Sequence, residues 1–158
     1  LAIKAFNQSG YPLKIIGGGQ CERQLRQMAG RNIEFLGFVE GKEIKYYYSR
    51  CKAFIFPGEE DFGITPLEAM ASGRPVIAFG KGGALETVIP FDSDSDNGTG
   101  IFFHEQTEKS LIGAIQKFEK NESEFNSKKI RNHTLQFDRD VFEKKMKEFI
   151  DQKMDSRL

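Results

Sequence analysis

Short apolar runs alternate along this chain with longer stretches of helical period. Leu13-Lys14-Ile15-Ile16, Ile33-Glu34-Phe35-Leu36, Ala53-Phe54-Ile55-Phe56, Pro75 to Phe79 and Gly100 to Phe103 are the runs. They predict five strands, and Ala53 to Phe56, apolar throughout, reads as one buried on both faces. Between them the period lengthens to that of a helix. Leu1, Ala2, Ala5 and Phe6 share one stripe of a first helix; Cys21 to Met28 follows, then Lys42 to Arg50 with Ile44, Tyr47 and Tyr48 on one side. Pro66 to Ser72 is a helix stopped by Gly73-Arg74-Pro75, with glycine at the left-handed position. Ala84 to Val88 is a short one. After the last strand come Glu108 to Lys120, Glu124 to Gln136 and Asp138 to Lys153, whose apolar faces are supplied by Ile115, Phe118, Val141, Phe142, Met146, Phe149 and Ile150. Asp92 to Gly98 is polar and reads as a mobile loop.

Strands separated by whole helices cannot be joined as hairpins. The pattern predicts an α/β fold, a Rossmann-like parallel sheet with helices on both faces. Ligands of such sheets bind beyond the carboxyl ends of the strands. Four strand ends carry glycine, at 17–19, 37, 58–63 and 80–83, and one parallel sheet would line them along one edge.

At 158 residues the chain is one domain, residues 1–158, able to bury about two-thirds of its unfolded surface. It opens without Met and already on a helical stripe, which gives the expectation of a piece of a larger protein cut inside or just before a helix. Lys plus Arg and Asp plus Glu balance at 23 each, so no global field draws the chain to nucleic acid or anionic lipid. Cys21 and Cys51 lack any paired spacing, which fits a reduced, cytoplasmic setting. No apolar run approaches the ~18 residues that span a bilayer.

The candidate chemistry lies between Phe56 and Glu86. Glu60 and Glu68 stand either side of Asp61-Phe62-Gly63-Ile64-Thr65-Pro66-Leu67, a glycine loop running into a helix start. The N–H groups of Gly63, Ile64 and Thr65 have no intrahelical acceptor and suit a diphosphate. A carboxylate accepts two hydroxyl hydrogen bonds at once, which suits the paired hydroxyls of a ribose or hexose. One acid on each side of an anion cradle is the layout a nucleoside diphosphate sugar requires. A plainer reading exists for Glu68: Thr65-Pro66-Leu67-Glu68 spells a capping box, with Thr65 as N-cap, Pro66 first in the helix and Glu68 reaching back to the Thr65 N–H. Acids before a helix N-terminus also gain ~0.3–1 kcal/mol each from its dipole. The dinucleotide fingerprint fails, because Glu22 stands where its third glycine belongs, and no P-loop occurs. His104 and His133 have no metal-ligand spacing and read as surface or core residues.

The run Glu60 to Glu68 with Phe62-Gly63-Ile64, continued by Ala69-Met70-Ala71-Ser72-Gly73-Arg74-Pro75-Val76-Ile77-Ala78, resembles the C-terminal half of retaining GT-B glycosyltransferases (glycosyltransferase family 4). Ile15 to Gly19, Ile33 to Val39, Gly82 to Glu86 and Thr99 to Phe103 fall in the family's order, so nearly the whole chain is covered. Gly80 to Val88 is most similar to mannosyltransferases that build surface polysaccharides. The resemblance implies that Glu60 holds the donor hexose and Glu68 the ribose hydroxyls. Backbone at Phe62, Gly63, Ile64 and Thr65 would meet the diphosphate, while Gly17, Gly18, Phe38 and Val39 flank the nucleoside. It implies a nucleotide-sugar donor, GDP-mannose favoured, front-face attack with retention, no cofactor and no metal, a glycan or lipid-linked acceptor, and no nucleic acid. It also implies that the sheet's first strand, a basic pair for the diphosphate and an N-terminal acceptor domain lie outside this chain, with any membrane contact made through that domain. An isolated fragment would then be inactive. A sugar-nucleotide epimerase-like domain and a noncatalytic Rossmann-like nucleotide-binding module are the alternatives.

Overall fold

A computed structural model describes residues 1–92 and 97–155. Five strands alternate with helices: α1 Ala2–Ser9, β1 Leu13–Ile16, α2 Glu22–Met28, β2 Ile33–Gly37, α3 Gly41–Arg50, β3 Phe54–Phe56, α4 Ile64–Ala71, β4 Val76–Phe79, α5 Ala84–Thr87 and β5 Gly100–Phe103. Three helices close the described chain: α6 Glu108–Lys120, α7 Ser127–Thr134 and α8 Arg139–Asp155. The expected loop at 92–98 is described only at its ends, and 93–96 lie outside the described residues.

Every strand pairing is parallel, as the spacing required. The strands do not form one sheet, however. β1 pairs with β2, with Leu13 opposite Ile33, and β3, β4 and β5 form a separate sheet in that order. Phe54 lies opposite Val76, and Val76 opposite Gly100. β1 and β3 are therefore each paired along one edge among the described residues, and β3 is only half-buried except at Phe56. The expectation of a strand buried on both faces fails for β3; the strand whose four residues are all buried is β4. Sequence apolarity sets what a strand can bury, while its neighbours set what it does bury.

The alternation of β4 distributes two cores. Ile77 and Phe79 face α1 and α6, packing with Ile3, Phe6, Leu111, Ile115 and Phe118. Val76 and Ala78 face the other way, with Met70 of α4, Val88 and Ile130 of α7. Each such side chain contributes about 1.5–3 kcal/mol when fully buried. Thr107 caps α6 by accepting from the Ser110 N–H, and Asn126 caps α7 by accepting from the Lys128 and Lys129 N–H groups. That second cap divides the expected Glu124–Gln136 helix. Phe125, just before it, turns inward against the rings of Phe91 and Phe118.

Other boundaries shift by a turn or less. α1 runs to Ser9 and ends on left-handed Gly10, and Leu1 stays partly exposed rather than sharing the buried stripe. Gly73 is left-handed after α4, as expected. The apolar stripe of α8 is present, but Phe142, Met146, Phe149 and Ile150 are exposed. No helix among the described residues is long and apolar enough to cross a membrane.

Candidate functional site

The carboxyl ends of β3, β4 and β5 converge through backbone contacts. The Gly83 N–H donates to the Glu60 carbonyl at 2.8 Å. A Cβ on Gly83 would sit 2.5 Å from the Asp61 oxygen and the Phe62 Cα, so only glycine lets this turn lie on the acidic loop. Gln106 Nε2 donates to the Pro57 carbonyl at 3.2 Å, and Gly80 lies against the His104 ring. The loop is thereby held at both ends while the side chains of Glu59, Glu60 and Asp61 remain exposed. Phe62 packs edge-on to Phe137, with ring centroids 6.2 Å apart.

Gly63 is the hinge between this loop and α4. It is buried, with φ 81°, and any Cβ there would press on Phe56 and Pro66. α4 starts at Ile64, two residues earlier than the sequence suggests, with Gly63 as N-cap and no side-chain cap. Thr65 therefore lies inside the first turn and Pro66 is the third helical residue. The capping box does not form. A left-handed glycine at the N-cap has displaced Thr65 from that position, so Glu68 has no cap to close. Its carboxylate instead accepts a hydrogen bond from the Tyr48 hydroxyl of α3 at 2.9 Å. Burial, and then the Glu68 carboxylate, push the Tyr48 phenol well above its ordinary value of 10.0. The plain explanation of Glu68 is thus removed, and the first N–H groups of α4 have no side-chain cap at the positive end of the helix dipole. Along the chain, exposed Glu60 precedes that end and exposed Glu68 lies one turn into the helix. Chemically, the arrangement can hold an anion at the centre and hydroxyl groups at the flanks.

The β1–β2 half contributes a second pair of turns. The Gly17 N–H donates to the Gly37 carbonyl at 2.7 Å, joining the ends of the two strands. Gly18 is exposed, Phe38 is 80% exposed, and the Val39 side chain is buried. Ile16, Tyr48 and Thr65 line one cleft between the two halves. The structure therefore gathers Glu60, Phe62 and Gly63 with the Gly82-Gly83 turn, and Glu68 with Tyr48. Gly17 joins Gly37 on the far side of the cleft.

Tyr48 is the residue that sequence reasoning missed. Its place on the apolar side of α3 marked it as packing, and no motif pairs a tyrosine with a carboxylate twenty positions on. His133 is a tie rather than a ligand: its Nε2 is 2.8 Å from the Thr87 carbonyl and its ring meets Phe137 edge-on. Cys21 and Cys51 are both free, and burial pushes the Cys51 thiol up.

A family model described as "Glycosyl transferases group 1" matches residues 1–136. The chain is 38% identical over 89 residues to a GDP-mannose-dependent monoacylated alpha-(1-6)-phosphatidylinositol monomannoside mannosyltransferase of Corynebacterium glutamicum. That stretch is 49% of this chain and 23% of the relative. It is 56% identical over 72 residues to the alpha-1,3/1,6-mannosyltransferase ALG2 of Eremothecium gossypii, covering 44% of this chain and 14% of the relative. Among solved structures, Anabaena Alr3699/HepE in complex with UDP shares the fold, at a TM-score of 0.76 and 22% identity over 95% of this chain and 44% of that one. The chain spans less than half the length of each of these proteins.

Proposed function

The chain belongs to the glycosyl transferases group 1 family, and on that premise we propose that it is the nucleotide-sugar-binding half of a retaining glycosyltransferase. The longer enzyme transfers mannose from GDP-mannose to a glycan or lipid-linked acceptor in surface polysaccharide synthesis, at the cytoplasmic side. One observation carries the reading: α4 starts without a side-chain cap between Glu60 and Glu68 in sequence, and Glu68 meets Tyr48 instead of closing a cap. Glu60 binds the donor hexose, and Glu68 binds the ribose hydroxyls with Tyr48 orienting its carboxylate. Backbone from Phe62 to Thr65 receives the diphosphate, and Gly17-Gly18 with Phe38-Val39 flank the base. Positioned N–H donors stabilise the charge that builds on the leaving diphosphate, so the reaction proceeds by front-face attack without a metal. The two mannosyltransferase relatives support the sugar, and one of them supports the guanine base by its name. The UDP complex of HepE favours a second reading, a uridine donor.

Calorimetric titration of the longer protein with GDP, UDP, ADP and their sugar conjugates tests this. Saturable GDP binding is expected. Glu68→Ala weakens it roughly ten- to a hundredfold, the equivalent of one or two charged hydrogen bonds, without unfolding the domain. Binding of UDP but not GDP would replace the guanine reading with the uridine one. An unchanged affinity in Glu68→Ala would remove that residue's role, and no nucleotide binding at all would leave a noncatalytic module.

A further inference from the structure

Phe62 is the one aromatic residue of the acidic loop, and it stays 46% exposed. Among the described residues its ring meets one other, that of Phe137, in the single turn Leu135–Phe137 between α7 and α8. What brings Phe137 there is legible from α7 onward. α7 lies along α4: Ile130 is buried in one cluster with Met70, and Ser127 Cβ stands 3.1 Å from where a Cβ on Gly73 would be. His133, in the last turn of α7, reaches the end of α5. Its Nε2 is 2.8 Å from the Thr87 carbonyl, which only accepts, so that nitrogen carries the proton. Nδ1 is then the acceptor, and Gln136 Nε2 meets it at 3.0 Å while also donating to the His133 carbonyl at 3.0 Å. The imidazole so fixed stands edge-on to Phe137, with centroids 5.6 Å apart.

Followed onward, these contacts close into a circuit. The buried Thr87 hydroxyl donates to the Gly83 carbonyl at 3.0 Å, and the Gly83 N–H donates to the Glu60 carbonyl at 2.8 Å. From Glu60 the chain returns to Phe62 in two residues. The path Glu60, Gly83, Thr87, His133, Phe137, Phe62 therefore grips the acidic loop twice, by its backbone at Glu60 and by a ring at Phe62. One grip comes from α5 and the other from the end of α7. A single hydrogen bond would let the loop pivot about Glu60, and the ring contact opposes that rotation. We propose that Phe137, anchored by His133, is a positioning residue for the donor site. It sets the orientation of the loop from Glu60 to Gly63, and with it the carboxylate and the N–H groups that meet the donor. The assignment rests on the nucleotide-sugar reading of that loop, and both residues act through Phe62.

Two measurements on the longer protein test it. Calorimetric titration with GDP, UDP and ADP reads the site, and amide hydrogen exchange at Gly83 reads the loop's attachment with no nucleotide present. Exchange at Val76, whose N–H is bonded to the Thr99 carbonyl in the core, is the reference for global unfolding. Phe137→Leu keeps apolar bulk and removes the ring edge. It is expected to speed exchange at Gly83 relative to Val76, and to weaken nucleotide binding, each by roughly three- to tenfold, the worth of one aromatic pair. His133→Ala should do the same, and Leu135→Ala, an exposed neighbour in the same turn, should do neither. In a Phe62→Leu background, Phe137→Leu should add nothing, because its partner ring is already gone; a packing role elsewhere would add its full cost. Unchanged Gly83 exchange in Phe137→Leu, unchanged nucleotide affinity, or full additivity with Phe62→Leu would each overturn the proposal. An unaltered protein that binds no nucleotide would overturn the reading of the site and the donor role with it, and is thereby told apart from a failure of Phe137 alone.

Discussion

The three-stranded half and the two-stranded half of this domain are made of similar material and end in similar glycine turns. Val76-Ile77-Ala78-Phe79 of β4 is buried at every position, between a strand on each edge and helices on each face. In β1, Leu13 and Ile15 are only half-buried, and Ile16 is 36% exposed. α2, which connects β1 to β2, buries none of its residues. The acidic loop belongs to the closed half and is fixed by the Gly83 N–H on the Glu60 carbonyl and by the Gln106 side chain on the Pro57 carbonyl. The Gly17-Gly18 turn belongs to the open half, where it is tied to Gly37 by a backbone hydrogen bond and lies against the Glu22 side chain. A pair of strands alone is marginal, whereas three strands under two layers of helix make a rigid platform. The contrast is one of burial: the acidic loop springs from the closed half, and the Gly17-Gly18 turn from the open one.

The largest expected break in this contrast is a cavity. Ile77→Ala in the closed half should cost ~2–5 kcal/mol in chemical denaturation, because Ile77 is 2% exposed and packed in the core beneath α1 and α6. Ile16→Ala in the open half should cost less than about 1 kcal/mol, as a partly exposed side chain has little burial to lose. Equal losses would mean that the halves are one cooperative core. Next in size is a glycine pair. Gly83→Ala must push the backbone of Asp61 and Phe62 aside, at ~1–3 kcal/mol, and should weaken nucleotide binding in the same titration. Gly17→Ala has open space around its Cβ and carries only the strain of φ 102°, about 1–2 kcal/mol, with no displacement of the acids. If Gly83→Ala bound nucleotide like the unaltered protein, the contact between the turn and the loop would not be what positions Glu60.

The strand order along the chain was legible because each apolar run ends in glycine and each helix keeps its period. All five strands lie within one residue of their expected bounds at each end, with β3 and β4 beginning one residue late and β2 ending one late. Their grouping into sheets was not legible. Pairing is a property of which strand lies next to which, and Phe54-Ile55-Phe56 carries no mark of an empty edge. The helix at 124–136 was misread because Asn126 serves as a cap only once Phe125 is drawn into the core by Phe91 and Phe118, a long-range contact. At the site, Glu60, Gly63 and Glu68 stood out by spacing. The capping box failed on one backbone angle: a left-handed Gly63 takes the N-cap position and carries Thr65 into the helix. Tyr48 was invisible for the same kind of reason, since its partner comes from another helix.

The Tyr48 to Glu68 hydrogen bond gives the finest test, because it ties α3, which leads out of the open half, to α4, which begins at the acidic loop. Tyr48→Phe keeps the ring's packing on Phe54 and removes only the hydroxyl, so it should cost about 1 kcal/mol. Its pH dependence separates it from a packing defect. The folded phenol is raised above its ordinary 10.0, so the folded protein holds that proton when the unfolded chain has lost it. The stability it supplies is therefore complete below pH 10 and declines as the pH rises beyond it. Stability curves of the unaltered and Tyr48→Phe proteins should run parallel from neutral pH to about 10 and converge above it. Parallel curves through the alkaline range would show that the phenol titrates freely and that Glu68 is held by something else. Convergence, together with weaker nucleotide binding in Tyr48→Phe, would identify the tyrosine as the residue through which the two halves share one carboxylate.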